Sequence, residues 1–260
     1  MNLRICSRVE IGVTERSVLA PLFERNKYDR VLIDSVLEGH FGVSYADSGV
    51  KPSVARLDSG AFTMLGGNPN STALRALLQH SPIHYVTPEN DEWRRVLRDE
   101  FGDRISPLSF TEFSSRSLDE NHLAKLTQDL PTGFELKRVD AQLAERLPSD
   151  TGNEYFFENF HSVEDFLSRG IGYCIVYKNR IVSAATSMAM CTTAIDIEIE
   201  TSPDFRKRGL GTVVGARLVL HCLENGMEPK WLAANPISER LALKLGYSKS
   251  GTYETFEIRS

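Results

Sequence analysis

Cysteine is scarce in this 260-residue chain: Cys6, Cys174, Cys191 and Cys222 are the full set, and no two are spaced C-x-x-C. That spacing supports neither a zinc centre nor a disulfide framework, and the four read as buried thiols in a reducing cytoplasm. Histidine helps no further: His161 and His221 stand alone in their segments, so both read as structural and no metal is expected. An excess of positive charge is also missing. With Lys+Arg 30 against Asp+Glu 35 the net charge is -5, no basic tail offsets it, and a nucleic-acid partner is not expected. Long apolar runs are absent as well. The longest uncharged stretch, residues 181–195, is interrupted by Ser183, Thr186, Ser187, Thr192 and Thr193, and falls short of the ~20 apolar residues a membrane helix needs. The first ten residues mix Arg4, Arg8 and Glu10 among isolated apolar ones instead of forming a basic and then apolar leader. A cytoplasmic protein without a membrane partner is the expectation.

What is present is a globular mixture, 41% hydrophobic and 25% charged, long enough for one large domain or two of ordinary size. Its most informative part begins with Ala194-Ile195-Asp196-Ile197-Glu198-Ile199-Glu200-Thr201, a period-2 strand with Asp196, Glu198 and Glu200 on one face and the isoleucines on the other. Ser202-Pro203-Asp204-Phe205 breaks the strand. Beyond it Val213, Val214, Leu218, Val219 and Leu220 carry a helix to the Asn225-Gly226 stop. Between strand and helix lies Arg206-Lys207-Arg208-Gly209-Leu210-Gly211-Thr212. Gly209 and Gly211 thus fall at the first turn of the helix, where backbone N–H groups are unpaired and the dipole is positive, and where a bulky anion such as a pyrophosphate can approach. Basic residues before a helix also occur as a solvated loop. The elements on both sides weigh against that here.

After the helix come an apolar strand at residues 229–234, the Asn235-Pro236 turn, a helix at residues 237–245, and Gly246-Tyr247. This ordered series resembles the GNAT N-acetyltransferase superfamily, whose acetyl-CoA signature is a Q/R-x-x-G-x-G/A loop opening a helix, followed by a strand, an Asn turn and a helix ending in G-F/Y. Here Arg206-x-x-Gly209-x-Gly211 and Asn235 through Gly246-Tyr247 carry the likeness, over roughly residues 134–258. Residues 234–247 are similar to the subfamily that includes the zwittermicin A resistance acetyltransferase. The resemblance implies an α/β protein: a C-terminal GNAT fold, a mixed twisted sheet flanked by helices, at residues 131–260, behind a smaller α/β domain at residues 1–130. It further implies acetyl-CoA as co-substrate, held by Thr201, Arg206, Lys207, Arg208, Gly209, Leu210, Gly211, Thr212, Asn235 and Ser238. Asn235 and Ser238 also fit plain turn and helix-cap roles.

Acyl transfer itself narrows the catalytic candidates. A protonated alkyl amine cannot attack a thioester, so a carboxylate or an ordered water must take its proton. Glu198 and Glu200 are the candidates because their strand face leads to the phosphate loop. Ion pairing with Arg206 and Lys207 is the competing role. In the family a backbone N–H at the end of this strand holds the thioester carbonyl, which would fall near Glu200 or Thr201. The usual acid, a tyrosine four residues before the glycine of G-F/Y, is replaced by Ala242. Tyr247 or Tyr253 would have to substitute, although Tyr247 also suits core packing, as does Trp231. The expected activity is transfer of an acetyl group to a primary amine of a small molecule by a monomer or homodimer. The alternative is a CoA-binding or sensing protein impaired in catalysis. A nucleotide-binding module is set aside because the Walker lysine and a ribose-binding acid after G-x-G-x-x-G are both missing.

Before the Pro131-Thr132-Gly133 turn the pattern predicts a helix over 19–37, strands over 42–45, 54–57 and 61–65, a helix over 71–79, a strand over 83–86, a helix over 89–101 and a strand over 105–113. Further on, 134–139 and 194–201 read as strands, 141–147 and 154–167 as helices, and 172–177 with 181–190 as a hairpin. Residues 84–102 run parallel to 230–246. The first domain is therefore either a degenerate copy of the same half-fold, lacking R-x-x-G-x-G and not binding CoA itself, or a generic α/β module. Its Gly66-Gly67-Asn68 has no basic neighbours and reads as a strand-ending turn.

Overall fold

A computed structural model describes residues 8–259, so Cys6 and Arg4 lie outside the described residues. Two compact units make up the chain: Phe110–Thr252, and the described residues before and after it.

The first unit carries β1 (Val9–Glu10), a 3-10 segment (Val13–Phe23), α1 (Arg30–Leu37), β2 (Val43–Ala46), β3 (Val54–Ser59), β4 (Phe62–Gly67), α2 (Leu74–Leu78), β5 (Tyr85–Val86), α3 (Asp91–Phe101) and the start of β6 (Ile105–Ser114). Its strands β1 to β4 are antiparallel neighbours, and β4 and β5 pair in parallel across α2. Leu74, Leu77, Trp93, Leu97 and Phe256 lie in its core. The helix expected over 19–37 is two pieces. Pro21 cannot donate to an α-helical ladder, and Asp29, left-handed at φ 54, starts α1 afresh.

Phe110–Thr252 contains the end of β6, α4 (Glu120–Leu126), β7 (Phe134–Arg138), α5 (Ala141–Thr151), α6 (Val163–Arg169), β8 (Gly172–Tyr177), β9 (Arg180–Met190), β10 (Ala194–Thr201), α7 (Leu210–Glu224), β11 (Glu228–Ala233), α8 (Pro236–Leu245) and the start of β12 (Ser248–Ile258). The order of its strands is β7-β8-β9-β10-β11-β6, with all neighbours antiparallel except β10 and β11, which are parallel across α7. The helix expected over 154–167 is a 3-10 turn (Tyr155–Phe157) followed by α6, because the Ser162 side chain caps the N–H of Asp165 and begins a new helix there. Residues 1–130 do not form a compact unit of their own. Leu123 and Leu126 of α4 share a core with Ala216, Val219 and Leu220 of α7, which draws residues 110–130 into the second unit.

Both units follow one plan. A meander of antiparallel strands leads to a parallel strand-helix-strand crossover and then an antiparallel strand from elsewhere in the chain: β12 pairs β5 through Phe256↔Val86, and β6 pairs β11 through Trp231↔Phe113. This is the repeat that the sequence offered as one of two readings. Cys174, Cys191 and Cys222 are buried free thiols. Among the described residues no helix is long and apolar enough to cross a membrane.

Candidate active site

The site is assembled where β10 and β11 part. Their parallel pairing runs Ala194↔Glu228, Ile195↔Pro229 and Asp196↔Lys230, and ends there. Beyond it β10 stays paired to β9 up to Thr201↔Ser183, while β11 pairs with β6 from Trp231 onward. The edge of β10 that faced β11 is therefore open past Asp196. Ser202 N–H donates to Val182 O of β9 at 2.9 Å, so even-numbered backbone groups here face β9. Ile199 and Thr201, of opposite parity, turn theirs to the open edge. At Thr201 both groups are taken: its N–H donates to Glu200 Oε1 at 2.7 Å, and its carbonyl accepts from Arg206 Nε at 2.9 Å. Of the remaining residues of that parity, Ile197 lies next to the last parallel pair and Ile199 presents its backbone nearer the loop. Of the two residues expected to supply the donor N–H, Thr201 has its N–H engaged by the Glu200 carboxylate, and Glu200 has the parity that faces β9.

The loop that follows has backbone of the kind that can cradle an anion. A 3-10 turn (Pro203–Phe205) leads to Lys207 at φ 63 and Gly209 at φ 80, two left-handed residues that fold the backbone N–H groups to one side. A side chain on Gly209 would be strained at that φ although nothing lies within 4 Å of it. No side chain caps α7, and none of the N–H groups of residues 207–211 donates to a described residue. Leu210 and Thr212 bury their side chains, 1% and 9% exposed, so they can offer the cradle backbone only. Lys207 and Arg208 are exposed, the latter lying over the Phe205 ring at 5.2 Å. Arg206 is engaged by the protein itself, pairing with Glu200 at 3.0 Å as well as with the Thr201 carbonyl.

The two glutamates have separated roles. Glu200 is committed to Thr201 N–H and Arg206. Glu198 accepts one hydrogen bond, from Asn153 Nδ2 at 2.7 Å. Burial raises its carboxyl above the usual carboxylate range; the Asn153 bond opposes that rise, and Glu200 and Glu158 add to it. Asp196, also on that face, is 8% exposed. Sequence reasoning missed Asn153. Its one visible signal was the helix-ending Gly152 before it, which turns the chain at φ 78.

The other expected site residues also make hydrogen bonds or packing contacts within the fold. The Asn235 side-chain Oδ1 caps α8, accepting from the N–H groups of Ile237 and Ser238 at 3.0 Å each. Ser238 Oγ accepts from Trp231 Nε1 at 3.1 Å. Ala242 is fully buried in the core shared by α4, α7 and α8. Tyr247, expected as a catalytic candidate, is corrected to a core residue: it is 3% exposed and its hydroxyl donates to Pro229 O at 3.0 Å. Burial puts its ionisation well above the ordinary range, which removes it as a proton donor matched to neutral pH. Tyr253 belongs to the first unit and stacks on Tyr28, ring centroids 4.2 Å apart. His221 bonds Tyr173 Oη through Nδ1 at 2.9 Å, the structural role expected of it.

With this geometry in hand, the comparisons with known proteins converge. A family model described as GNAT acetyltransferase matches residues 20–256. An uncharacterized N-acetyltransferase, YdfB of Bacillus subtilis (strain 168), is 26% identical over 259 residues, covering 95% of this chain and 97% of that protein. Among solved structures, a GCN5-related N-acetyltransferase-like protein from Streptococcus suis 89/1591 is 31% identical with a TM-score of 0.82, covering 95% of this chain and 100% of that one. A tandem GNAT protein from the clavulanic acid biosynthesis pathway shares the fold at 12% identity and a TM-score of 0.59, covering 96% and 97% of the two chains.

Proposed function

The chain belongs to the GNAT acetyltransferase family and is an acyltransferase, and from that premise we propose that it moves an acetyl group from acetyl-CoA to a primary amine of a small molecule. The zwittermicin-resistance-like segment at residues 234–247 supports a small-molecule acceptor. We place the protein in the cytoplasm as a monomer or homodimer.

The observation that carries this reading is the coincidence of the open β10 edge with the uncapped 207–211 cradle. Bound there, acetyl-CoA would supply the activated acyl group as a thioester. The N–H groups of residues 207–211 and the cations of Lys207 and Arg208 would meet its pyrophosphate. Arg206 holds Glu200 and Thr201 in place instead of reaching the anion directly. Ile199 N–H is the preorganised donor for the developing oxyanion. Glu198 takes the proton from the acceptor ammonium, a role suited to a carboxylate whose affinity for protons is raised by burial. With Ala242 and Tyr247 both in the core, α8 and the turn after it offer no acid to the departing thiol. A thiol's reference pKa of ~8.5 makes unassisted departure tolerable.

Two measurements on the full chain test the proposal together. Calorimetry should show binding of CoA, and a thiol-release assay over a panel of primary amines should show turnover with at least one. Binding without turnover across the panel would sink the acceptor assignment, and no CoA binding would sink the site.

A further inference from the structure

The geometry points to Asn153 as a positioning residue for Glu198, holding the carboxylate in one rotamer with a single oxygen left to receive the proton. The inference rests on the reading of Glu198 as the base. Asn153 follows α5, which Gly152 ends, and it is only 9% exposed. Its two amide atoms have different fixed partners. Oδ1 accepts from Tyr155 N–H at 2.8 Å, and Nδ2 donates to Glu198 Oε1 at 2.7 Å. A flipped amide would set its oxygen against the carboxylate and its NH₂ against an N–H, losing both bonds, so the network admits one orientation.

This fixes the division of labour on the carboxylate. Oε1 is occupied, and Oε2 accepts no hydrogen bond from a described residue. The proton of the acceptor ammonium therefore passes to Oε2, leaving a neutral amine and a carboxylic acid whose Oε1 still accepts from Asn153. Around the pair the charges are Glu200 on the same strand and Glu158 just beyond the 3-10 turn, both repelling a second negative charge. Across β9 the residue opposite is Thr186, and Lys230 of β11 lies opposite Asp196, salt-bridged to Glu228 at 2.8 Å. Among the described residues Glu198 makes no ion pair. Asn153 is the group that favours its ionised form against burial and two like charges.

Asn153→Asp is the informative variant, because it is isosteric and keeps the Oδ1 acceptor for Tyr155 N–H while replacing the Nδ2 donor by a second carboxylate oxygen. Difference infrared titration of the protonated carboxyl, with Glu198→Gln as the blank, reads the Glu198 ionisation without any turnover. Relative to the unmodified chain it should move up by about one pH unit in Asn153→Ala and by more in Asn153→Asp. The acid limb of the pH profile for acetyl transfer should move with it. An unmoved or lowered carboxyl titration in either folded variant overturns the inference. A titration that rises while the acid limb stays put upholds Asn153 as the positioning residue and refutes Glu198 as the base, so the two failures are told apart.

Discussion

The turns that end β4 and β10 occupy the same place in two units of one plan, and they have opposite relations to their surroundings. In the first unit Gly66 and Gly67 are packed against backbone: a Cβ on Gly66 would lie 2.7 Å from Leu22 O, and one on Gly67 would strike the Ser53 carbonyl. Asn68 N–H closes the turn onto Ser53 O at 2.8 Å. In the second unit Gly209 meets nothing within 4 Å, and the N–H groups around it are unclaimed. Glycine serves close packing in one case and, in the other, an open turn whose N–H groups no described residue takes. The strands differ in the same sense. The last parallel pairs are Thr63↔Val86 and Asp196↔Lys230, and two residues on stand Leu65 and Glu198. Each is met by an asparagine, Asn26 Nδ2 on Leu65 O at 3.3 Å and Asn153 Nδ2 on Glu198 Oε1 at 2.7 Å. A shared scaffold thus carries a buried leucine in one copy and, in the other, the glutamate proposed above as the base.

The sharpest way to break this comparison is to change each of the two residues. Glu198→Gln keeps the Asn153 contact through an amide oxygen but removes the base, and should lower kcat about 10³-fold with CoA affinity unchanged. A loss under tenfold in single-turnover thiol release would contradict the assignment. Leu65→Glu puts a carboxylate at a position that is 3% exposed, and urea unfolding should show a loss of about 3 kcal/mol. A neutral result there would mean the first unit has room for a charge, and the contrast with Glu198 would fail.

The two turns come next. Gly211→Glu, which places an anion at the uncapped helix start, should weaken CoA binding roughly 100-fold, about 2.7 kcal/mol, with the melting temperature little changed. Asn68→Asp, at the first unit's turn, should leave CoA affinity as it was. Equal losses in calorimetry would show that the turns do not differ in function.

The smallest effect concerns Asp29, which has no counterpart at the second unit's site. It stands before α1 without capping it, and burial raises its carboxyl from the ordinary 3.8 to about 6, partly opposed by the Thr87 hydroxyl. Because the folded state holds this proton more tightly, its contribution to stability is full below about 3.8 and is lost as pH rises through about 6. Asp29→Asn should therefore gain on the order of 2 kcal/mol at pH 7.5 relative to the unmodified chain, and nothing at pH 3.5. Denaturant midpoints that shift equally at both pH values would refute the buried-carboxyl account.

Much of the second unit was legible because its signals are local. The alternation of residues 194–201, the glycines at 209 and 211 and the Asn235 turn each act within a few residues, and the strand, loop and helix fall where those signals put them. The two mispredicted helices failed for a local reason of another kind. Pro21, Asp29 and Ser162 interrupt runs whose apolar content continues, so the apolar pattern runs on where the helix does not. The domain boundary failed because α4 is polar outward and apolar toward α7, a partner about ninety residues along the chain.

By itself the sequence determined the family, the α/β class and the loop where an anion would sit, because strand period, glycine placement and helix stops are set by φ/ψ preferences and side-chain pattern over short distances. Only the tertiary structure decided how the two glutamates on one face are engaged, Glu198 by Asn153 and Glu200 by Arg206, since that depends on partners reaching them across intervening turns. It also took Tyr247 out of the site, through a hydroxyl bonded to Pro229 O, and set Ile199 at the open edge, through pairing that stops at Asp196. These are questions of which partner arrives from elsewhere in the chain. Packing settles them, because a buried polar group takes whatever partner the fold brings within hydrogen-bonding distance.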